Sequence, residues 1–385
     1  MNYSYQYQLL NELFSKNEEA CIIPDSQITI HNLEFNSIFY QQYSITGNAD
    51  VNFRQEDAGI QENWNFTYPV FAYGKEKNDK AIVLLHGLNE RNWSKYLTWA
   101  YYLAETTRRT VILFPLAFHM NRGKKDWSNP RSMTQLVHKR KDNYNDVVQL
   151  TFANAALSSR LTEDPNRFFR AGLQCSHDLV RLLEQIKSGD YPLLAKNAQV
   201  NFMGYSIGAF LTQIFFMANP RDLVQNSKAA LFCGGTTFNH MLGTSRLIMD
   251  NLAYKNLNEY YLQHFGDTEI PGYENLSKTP LHKVIQSFKA MIPLPDFRKL
   301  KERALSKLAG KVTTIGLLKD QVMPAKSIAE TLADQKGKLK LALRVEDFPY
   351  TYSHENPFPI LKNGESKLVD QNFNRIFSQL AFALK

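Results

Sequence analysis

Residues Gln199–Gly208 read Gln-Val-Asn-Phe-Met-Gly-Tyr-Ser-Ile-Gly, and the run Ala209–Ala218 that follows has helical spacing and is closed by Pro220. A short apolar run of strand length thus passes into a helix across the pentapeptide Gly204-Tyr205-Ser206-Ile207-Gly208. A G-x-S-x-G pentapeptide means little by itself, but between a buried strand and a helix it has the context of a nucleophile elbow. The turn is so tight that a β-carbon at Gly204 or Gly208 would collide with the adjoining strand or helix. Ser206 is expected in a strained backbone conformation, with its hydroxyl exposed above the sheet near the positive end of the helix.

Working outward, the same apolar runs recur. Ala81–Leu85, Thr110–Phe114, Ala229–Cys233, Val312–Leu318 and Lys340–Val345 suit strands buried on both faces, and Thr67–Tyr73 is a further strand before a turn region at Gly74–Lys80. Helical spacing fills the intervals. Leu97, Ala100, Tyr101 and Ala104 share one face, as do Cys175, Leu179, Leu182, Leu183 and Ile186. Strand-helix alternation of this kind predicts an α/β fold with a mostly parallel sheet and helices on both faces. Two intervals are longer than a crossover needs, at about 115–166 and 236–297. The second is rich in aromatics, among them Tyr254, Tyr260, Tyr261, Phe265 and Tyr273, and is expected to form a helical cap over Ser206. Tyr260 and Tyr261 are the expected selectors of chain length there. Residues 1–66 open with a short amphipathic helix around Tyr7, Leu10, Leu13 and Phe14 and read as an extension packing on the core, leaving 67–385 as the main domain.

His86-Gly87-Leu88-Asn89 follows the strand Ala81–Leu85 directly. A serine attacking a carbonyl needs two N–H donors aimed at the developing oxyanion. The backbone of Ile207, next to the serine, can supply one, and the glycine turn can supply the other from Leu88.

With these pieces in view, the chain resembles the α/β-hydrolase superfamily of serine hydrolases. The resemblance rests on His86-Gly87 after an early strand, Gly204–Gly208, Asp320 with Pro324 after a late strand, and His354 after the last predicted strand; it spans Thr67 to Lys385. It implies the order nucleophile, acid, histidine. Asp320 then orients His354, which takes the serine proton and returns it to the leaving group. Of the nine histidines, His354 alone lies downstream of both Ser206 and Asp320. Glu346 and Asp347 are the fallback acids. The resemblance implies cleavage of an ester, thioester or amide through an acyl-enzyme, on a small-molecule acyl substrate. Acyl transfer on the same triad, or a hydrolase fold kept only for ligand or partner binding, are the alternatives.

One departure bears on substrate class. Where many members carry an Asp-x-Arg-Gly turn, this chain reads Phe114-Pro115-Leu116-Ala117-Phe118-His119-Met120-Asn121-Arg122-Gly123. His119, Arg122 and Arg131 leave the C-terminal edge of a strand, where ligands sit in open α/β sheets. With His86 and Tyr205, His119 and Arg122 are candidate pocket residues.

The bulk composition fits this picture. The chain has 385 residues, a formal charge of +8 and a 44% hydrophobic fraction. Its basic residues are spread out, with His138-Lys139-Arg140-Lys141 the densest group, so a solvated basic surface is expected and no nucleic-acid groove. Cys21, Cys175 and Cys233 suit neither a disulfide framework nor a metal site, and no dinucleotide or metalloprotease spacing occurs, so no cofactor or metal is expected. Met1–Tyr7 lacks the form of a secretory signal and no run is long enough to span a bilayer, which makes a cytoplasmic product the expectation.

Overall fold

The computed structural model describes residues 2–44, 55–265, 276, 278–361 and 366–385. Nine strands form one sheet: β1 (Ala20–Ile22), β2 (Ile28–Asn36), β3 (Asn65–Tyr73), β4 (Asn78–Leu85), β5 (Thr110–Leu113), β6 (Leu194–Tyr205), β7 (Ala229–Phe232), β8 (Val312–Leu317) and β9 (Ala342–Glu346). Their spatial order is β1-β2-β3-β5-β4-β6-β7-β8-β9. From β5 to β9 every pairing is parallel, whereas β1, β2 and β3 join antiparallel. The seven apolar runs of the sequence become β3 to β9, and the architecture is the α/β-hydrolase type. Two strands from the first 66 residues, β1 and β2, extend the sheet beyond β3. Both lie in the stretch read from the sequence only as an extension packing on the core: β1 is three residues long and β2 has no continuous apolar run.

Side-chain alternation divides the core. Along β4, Ala81, Val83 and Leu85 face one apolar layer and Ile82 and Leu84 the other. The first layer is completed by helices Asn166–Ser188 and Ile207–Ala218, the second by Tyr3–Leu13, Ser94–Thr107 and Ser366–Leu384. The N-terminal helix is tied down: the Tyr3 ring stacks on Phe373 at 4.2 Å, and its hydroxyl donates to the Phe358 carbonyl at 3.1 Å. The three cysteines are free and buried.

β4 lies between β5 and β6, so the chain leaves it toward one side of the sheet and later returns on the other. A crevice opens at the C-terminal ends of strands where the winding reverses in this way. His86–Asn89 leaves β4 there, Ser206 leaves β6 beside it, and Asp320 and His354 follow β8 and β9.

The two long intervals meet over this crevice. The first holds helices Pro130–Asn143 and Ala155–Glu163; the second holds Asn251–Glu259, a π-helical turn Tyr260–His264, and Leu281–Met291. Tyr273 and its neighbours at 266–275 lie outside the described residues.

Candidate active site

Ser206 occupies the turn between β6 and helix Ile207–Ala218 with φ 57° and ψ −120°, a conformation that L-residues avoid. Two close approaches make the turn depend on glycine. A Cβ on Gly204 would lie 2.6 Å from the Ala209 Cα, and one on Gly208 would lie 2.6 Å from the Leu85 carbonyl carbon. The helix and strand β4 therefore pack against the turn at distances no side chain allows. Gly234, after β7, is equally crowded: its Cβ would meet the Ala209 Cβ at 2.5 Å.

Three loops bring their side chains into one line. Ser206 Oγ lies 2.6 Å from His354 Nε2, and His354 Nδ1 lies 2.7 Å from Asp320 Oδ2. An ionised carboxylate only accepts, so Nδ1 carries the proton and Nε2 is left to accept from the serine hydroxyl. Asp320 is itself fixed, because its Oδ1 accepts the backbone N–H groups of Val322 at 2.9 Å and Met323 at 2.8 Å. The Tyr205 ring lies parallel to the His354 ring, at 14°, and its hydroxyl donates to the His354 carbonyl. Glu346 and Asp347 lie elsewhere: Glu346 pairs with Arg375, and Asp347 with Lys319 and the Tyr352 hydroxyl. Cys233, buried near Asp320, is pushed well above the usual thiol range by burial and by that carboxylate.

The turn after β4 is braced by groups the sequence did not single out. The Gly87 N–H donates to the Tyr96 hydroxyl at 3.0 Å, and that hydroxyl donates to Glu90 at 2.9 Å. Lys95 pairs with the same Glu90 oxygen at 2.5 Å and reaches the Glu355 carbonyl, beside His354, at 2.7 Å. Asn89 donates to the carbonyls of Ala153 and Leu247, one from each long interval. Leu88 is held between these anchors. Among the described residues, neither the Leu88 nor the Ile207 backbone N–H has an acceptor. The sequence signal for this brace was slight: Tyr96 and Lys95 sit on the helix that follows the glycine turn.

Ser206 is only 3% exposed, whereas the sequence led to an exposed hydroxyl. The difference comes from what covers it. Ser206 opens on a small apolar chamber walled by Leu88, Phe168, Phe238, Ile248, Tyr254 and Leu257, among others. The second interval supplies much of that wall, but Tyr260 and Tyr261 are not in it. The Tyr261 hydroxyl donates to Pro165 and accepts from the Phe169 N–H, both at 3.0 Å, which pins the ring in the seam behind Phe168. A second, small apolar chamber shares Leu88, Phe168 and Ile207 with the first.

The four candidate pocket residues separate. His119 lines the second chamber. His86 is fully buried beneath the turn; its Nδ1 donates to the Gly87 carbonyl at 2.8 Å and its Nε2 accepts from the Leu116 N–H at 2.9 Å. Burial and the neighbouring His119 push its pKa well below the usual value, so it is a neutral strut. Tyr205 packs under His354 rather than beside a ligand. Arg122 is fully buried away from both chambers, where it bonds to the carbonyls of Pro115 and Asn63 and pairs with Asp178 at 2.9 Å. An arginine taken out of water needs such partners, and its partner lies on a distant helix that the loop sequence could not disclose. Arg131 is exposed at the start of helix Pro130–Asn143.

Among the described residues, no cluster of three or more His, Cys, Asp or Glu side chains is placed to hold a metal ion, and no helix is long and apolar enough to cross a membrane. The model of a family described as a "Family of unknown function (DUF6051)" matches residues 1–384. No curated protein matches the chain. Among solved structures, an esterase from Pyrobaculum calidifontis is similar with TM-score 0.45 at 10% identity, over 100% of this chain and 92% of that one. Carboxyl esterase 2 from the mycorrhizal fungus Tuber melanosporum is similar with TM-score 0.42 at 11% identity, over 94% and 89% of the two chains. A cold-adapted esterase from an Arctic intertidal metagenomic library gives 0.41 at 11% identity, over 97% and 100%.

Proposed function

For this chain, which belongs to the DUF6051 family, we propose a serine hydrolase that cleaves an ester, thioester or amide of a small apolar molecule through an acyl-enzyme. The observation that carries this reading is the unbroken hydrogen-bond line from Ser206 through His354 to Asp320, at 2.6 and 2.7 Å, drawn from the loops that follow three different strands.

In this reading the Ser206 Oγ attacks the substrate carbonyl as its proton passes to His354 Nε2. Asp320 holds the ring in the required tautomer and stabilises the imidazolium that forms. The carbonyl oxygen becomes an oxyanion facing the N–H groups of Ile207 and Leu88, and the N-terminus of helix Ile207–Ala218 adds its favourable potential. His354 then gives the proton to the leaving group. Water enters, loses a proton to His354, attacks the acyl carbon and releases the acid, while the proton returns to Ser206. The strained backbone at Ser206 supports the reading as well, because strain of this kind is retained where presentation of a side chain matters. The apolar chamber supports an acyl or alcohol group without charge, and its exclusion of bulk water strengthens the oxyanion contacts.

A fluorophosphonate probe tests the nucleophile without knowledge of the substrate. The purified protein should gain one phosphonyl group, the mass of the probe less HF, on the peptide that contains Ser206, and Ser206→Ala should gain none. Labelling that persists in folded Ser206→Ala would remove the assignment.

A further inference from the structure

Lys95 stands where a helix disfavours it. It is the second residue of helix Ser94–Thr107, at the end where unpaired N–H groups create a positive potential, yet its side chain is only 15% exposed. Taking an ammonium out of water is costly unless its donors are met, and each contact that meets them leads to the Ser206 line. Its Nζ pairs with Glu90 Oε1 at 2.5 Å; that oxygen also accepts from the Tyr96 hydroxyl, which in turn takes the N–H of Gly87, next to Leu88. It donates as well to the carbonyl of Glu355, the residue after His354, at 2.7 Å. The same ammonium lies 4.8 Å from the Tyr205 ring centroid and 5.2 Å from that of Tyr96, and Tyr205 is the ring that runs parallel to His354. The sheet does not make this link. β4 carries the Leu88 turn and β9 precedes the His354 loop, with β6, β7 and β8 between them, so no strand pairing sets the distance from one to the other.

We propose that Lys95 is a positioning residue that locks the Leu88 turn and the His354 loop together about Ser206. Without it each loop settles on its own contacts, and the second oxyanion donor and the proton acceptor no longer face Ser206 in one geometry. Lys95 touches neither the substrate nor the reacting atoms; it acts through Gly87 and Glu355. The inference rests on the hydrolase reading for the reaction that this geometry serves. Lys95 is absent from the walls of the Ser206 chamber, so its loss falls on the chemical step and not on binding.

The test compares Lys95→Met, which keeps an apolar stem of similar length, with the unsubstituted full-length protein on 4-nitrophenyl acetate. The kcat should fall roughly ten- to a hundredfold, as expected for a small displacement of reacting groups, while KM stays within about twofold. Affinity for a trifluoromethyl ketone, whose adduct with Ser206 carries an oxyanion, should fall by the same factor. Lys95→Arg, which keeps a cation with donors for both oxygens, should recover much of the rate. A residue that merely supported the fold would lower the melting temperature and leave the kcat of the folded protein alone. An unchanged kcat in folded Lys95→Met, a loss confined to KM, or a ketone affinity that does not follow kcat would each overturn the proposal. So would a Lys95→Arg protein no faster than Lys95→Met. Should Lys95→Met fail to fold, Glu90→Gln decides, since it keeps an acceptor for Tyr96 and removes the charge that holds Lys95. Its kcat should fall at constant KM, and an unchanged kcat would count against Lys95. The Nδ1 proton resonance of His354 requires no turnover and separates the two readings: it should shift or broaden in whichever of these variants folds. If the unsubstituted protein neither takes the fluorophosphonate nor cleaves esters, the hydrolase reading fails, and an unaltered resonance removes this proposal as well. Labelling of Ser206 together with a kcat indifferent to Lys95 removes this proposal alone.

Discussion

The floor and the roof of the Ser206 chamber are built by different forces. The floor is the C-terminal edge of β4, β6, β8 and β9, where apolar side chains bury both faces of β4, β6 and β8, and β9 forms the exposed edge. The roof is two long intervals held by buried polar latches. Arg140 grips Asp250 with two hydrogen bonds, at 2.6 and 2.9 Å, and Asp250 also caps helix Asn251–Glu259 through the Ala253 N–H. Asn154 donates to the Gln149 and Ser245 carbonyls, and the Ser245 hydroxyl donates to Glu355 beside His354. Desolvation would raise Glu355, yet that bond and the neighbouring His354 hold its carboxyl below the usual range. Apolar burial is non-directional and tolerates small shifts, whereas a latch works only with its partner in place. In the proposed hydrolase reading the floor positions the chemistry, and the roof decides what reaches it.

The sharpest way to break this division is at the floor. Asp320→Asn should lower turnover by about 10⁴, since the histidine loses its tautomeric control. Asp347→Asn, which disturbs only surface pairs, should stay close to the unsubstituted protein. Steady-state rates on a simple chromogenic ester give both numbers, and the reverse pattern would move the acid to Asp347.

Next is the latch. Arg140→Leu leaves Asp250 buried without its cation, and breaking a buried pair in this way costs about 3–5 kcal/mol. If floor and roof are separable, hydrogen exchange should rise across Pro130–Asn143 and Asn251–Glu259 while β4 and β6 remain protected. Uniform acceleration across the sheet would show a single cooperative unit instead.

A smaller effect is expected within the roof. Leu257 faces the chamber and Tyr260 does not, so Leu257→Phe should shift preference toward shorter acyl chains by about tenfold, in line with one or two methylenes of space. Tyr260→Ala should leave the chain-length profile unchanged. A panel of esters of increasing chain length measures both.

The smallest is a pH effect from beneath the β4 turn. His86 and His119 are both held below the ordinary 6.5 by burial, His119 to about 3, with Lys95, Arg91, Arg122 and Arg160 adding to it. In the unfolded chain these rings bind protons near pH 6.5, so between that value and about 3 the unfolded state holds more protons. Stability from this source is complete above pH 6.5 and falls as the solution is acidified. Melting temperature should therefore be flat above pH 7 and decline below 6.5, with a shallower decline in His119→Gln. A slope unaffected by that substitution would assign the acid sensitivity elsewhere.

The contrast also explains what could be read from the sequence. Strands β3 to β9 are spelled by consecutive apolar residues, and the Gly204–Gly208 turn by its own glycines, so both are local signals. The proposed Ser206–Asp320–His354 set followed from the family resemblance and its chain order, because each residue comes after a strand that is itself legible. The latches are not local. Arg140 and Asp250, or Ser245 and Glu355, lie far apart in the chain and have no periodicity to betray them. Arg122 went inward rather than to the pocket for the same reason: Asp178, its partner, is on another helix. The aromatic richness of 236–297 was visible, but which rings face the chamber depends on the hydroxyl partners of Tyr261, supplied by Pro165 and Phe169.

The central claim, that Ser206 carries the acyl group, is tested most directly by trapping the intermediate. The protein is mixed with a 4-nitrophenyl ester, quenched in acid within the first turnover and digested for mass spectrometry. The account predicts the acyl mass on the peptide containing Ser206, at the serine itself, and none in Ser206→Ala. An acyl group found on another side chain, or ester cleavage that proceeds at full rate in Ser206→Ala, would contradict it.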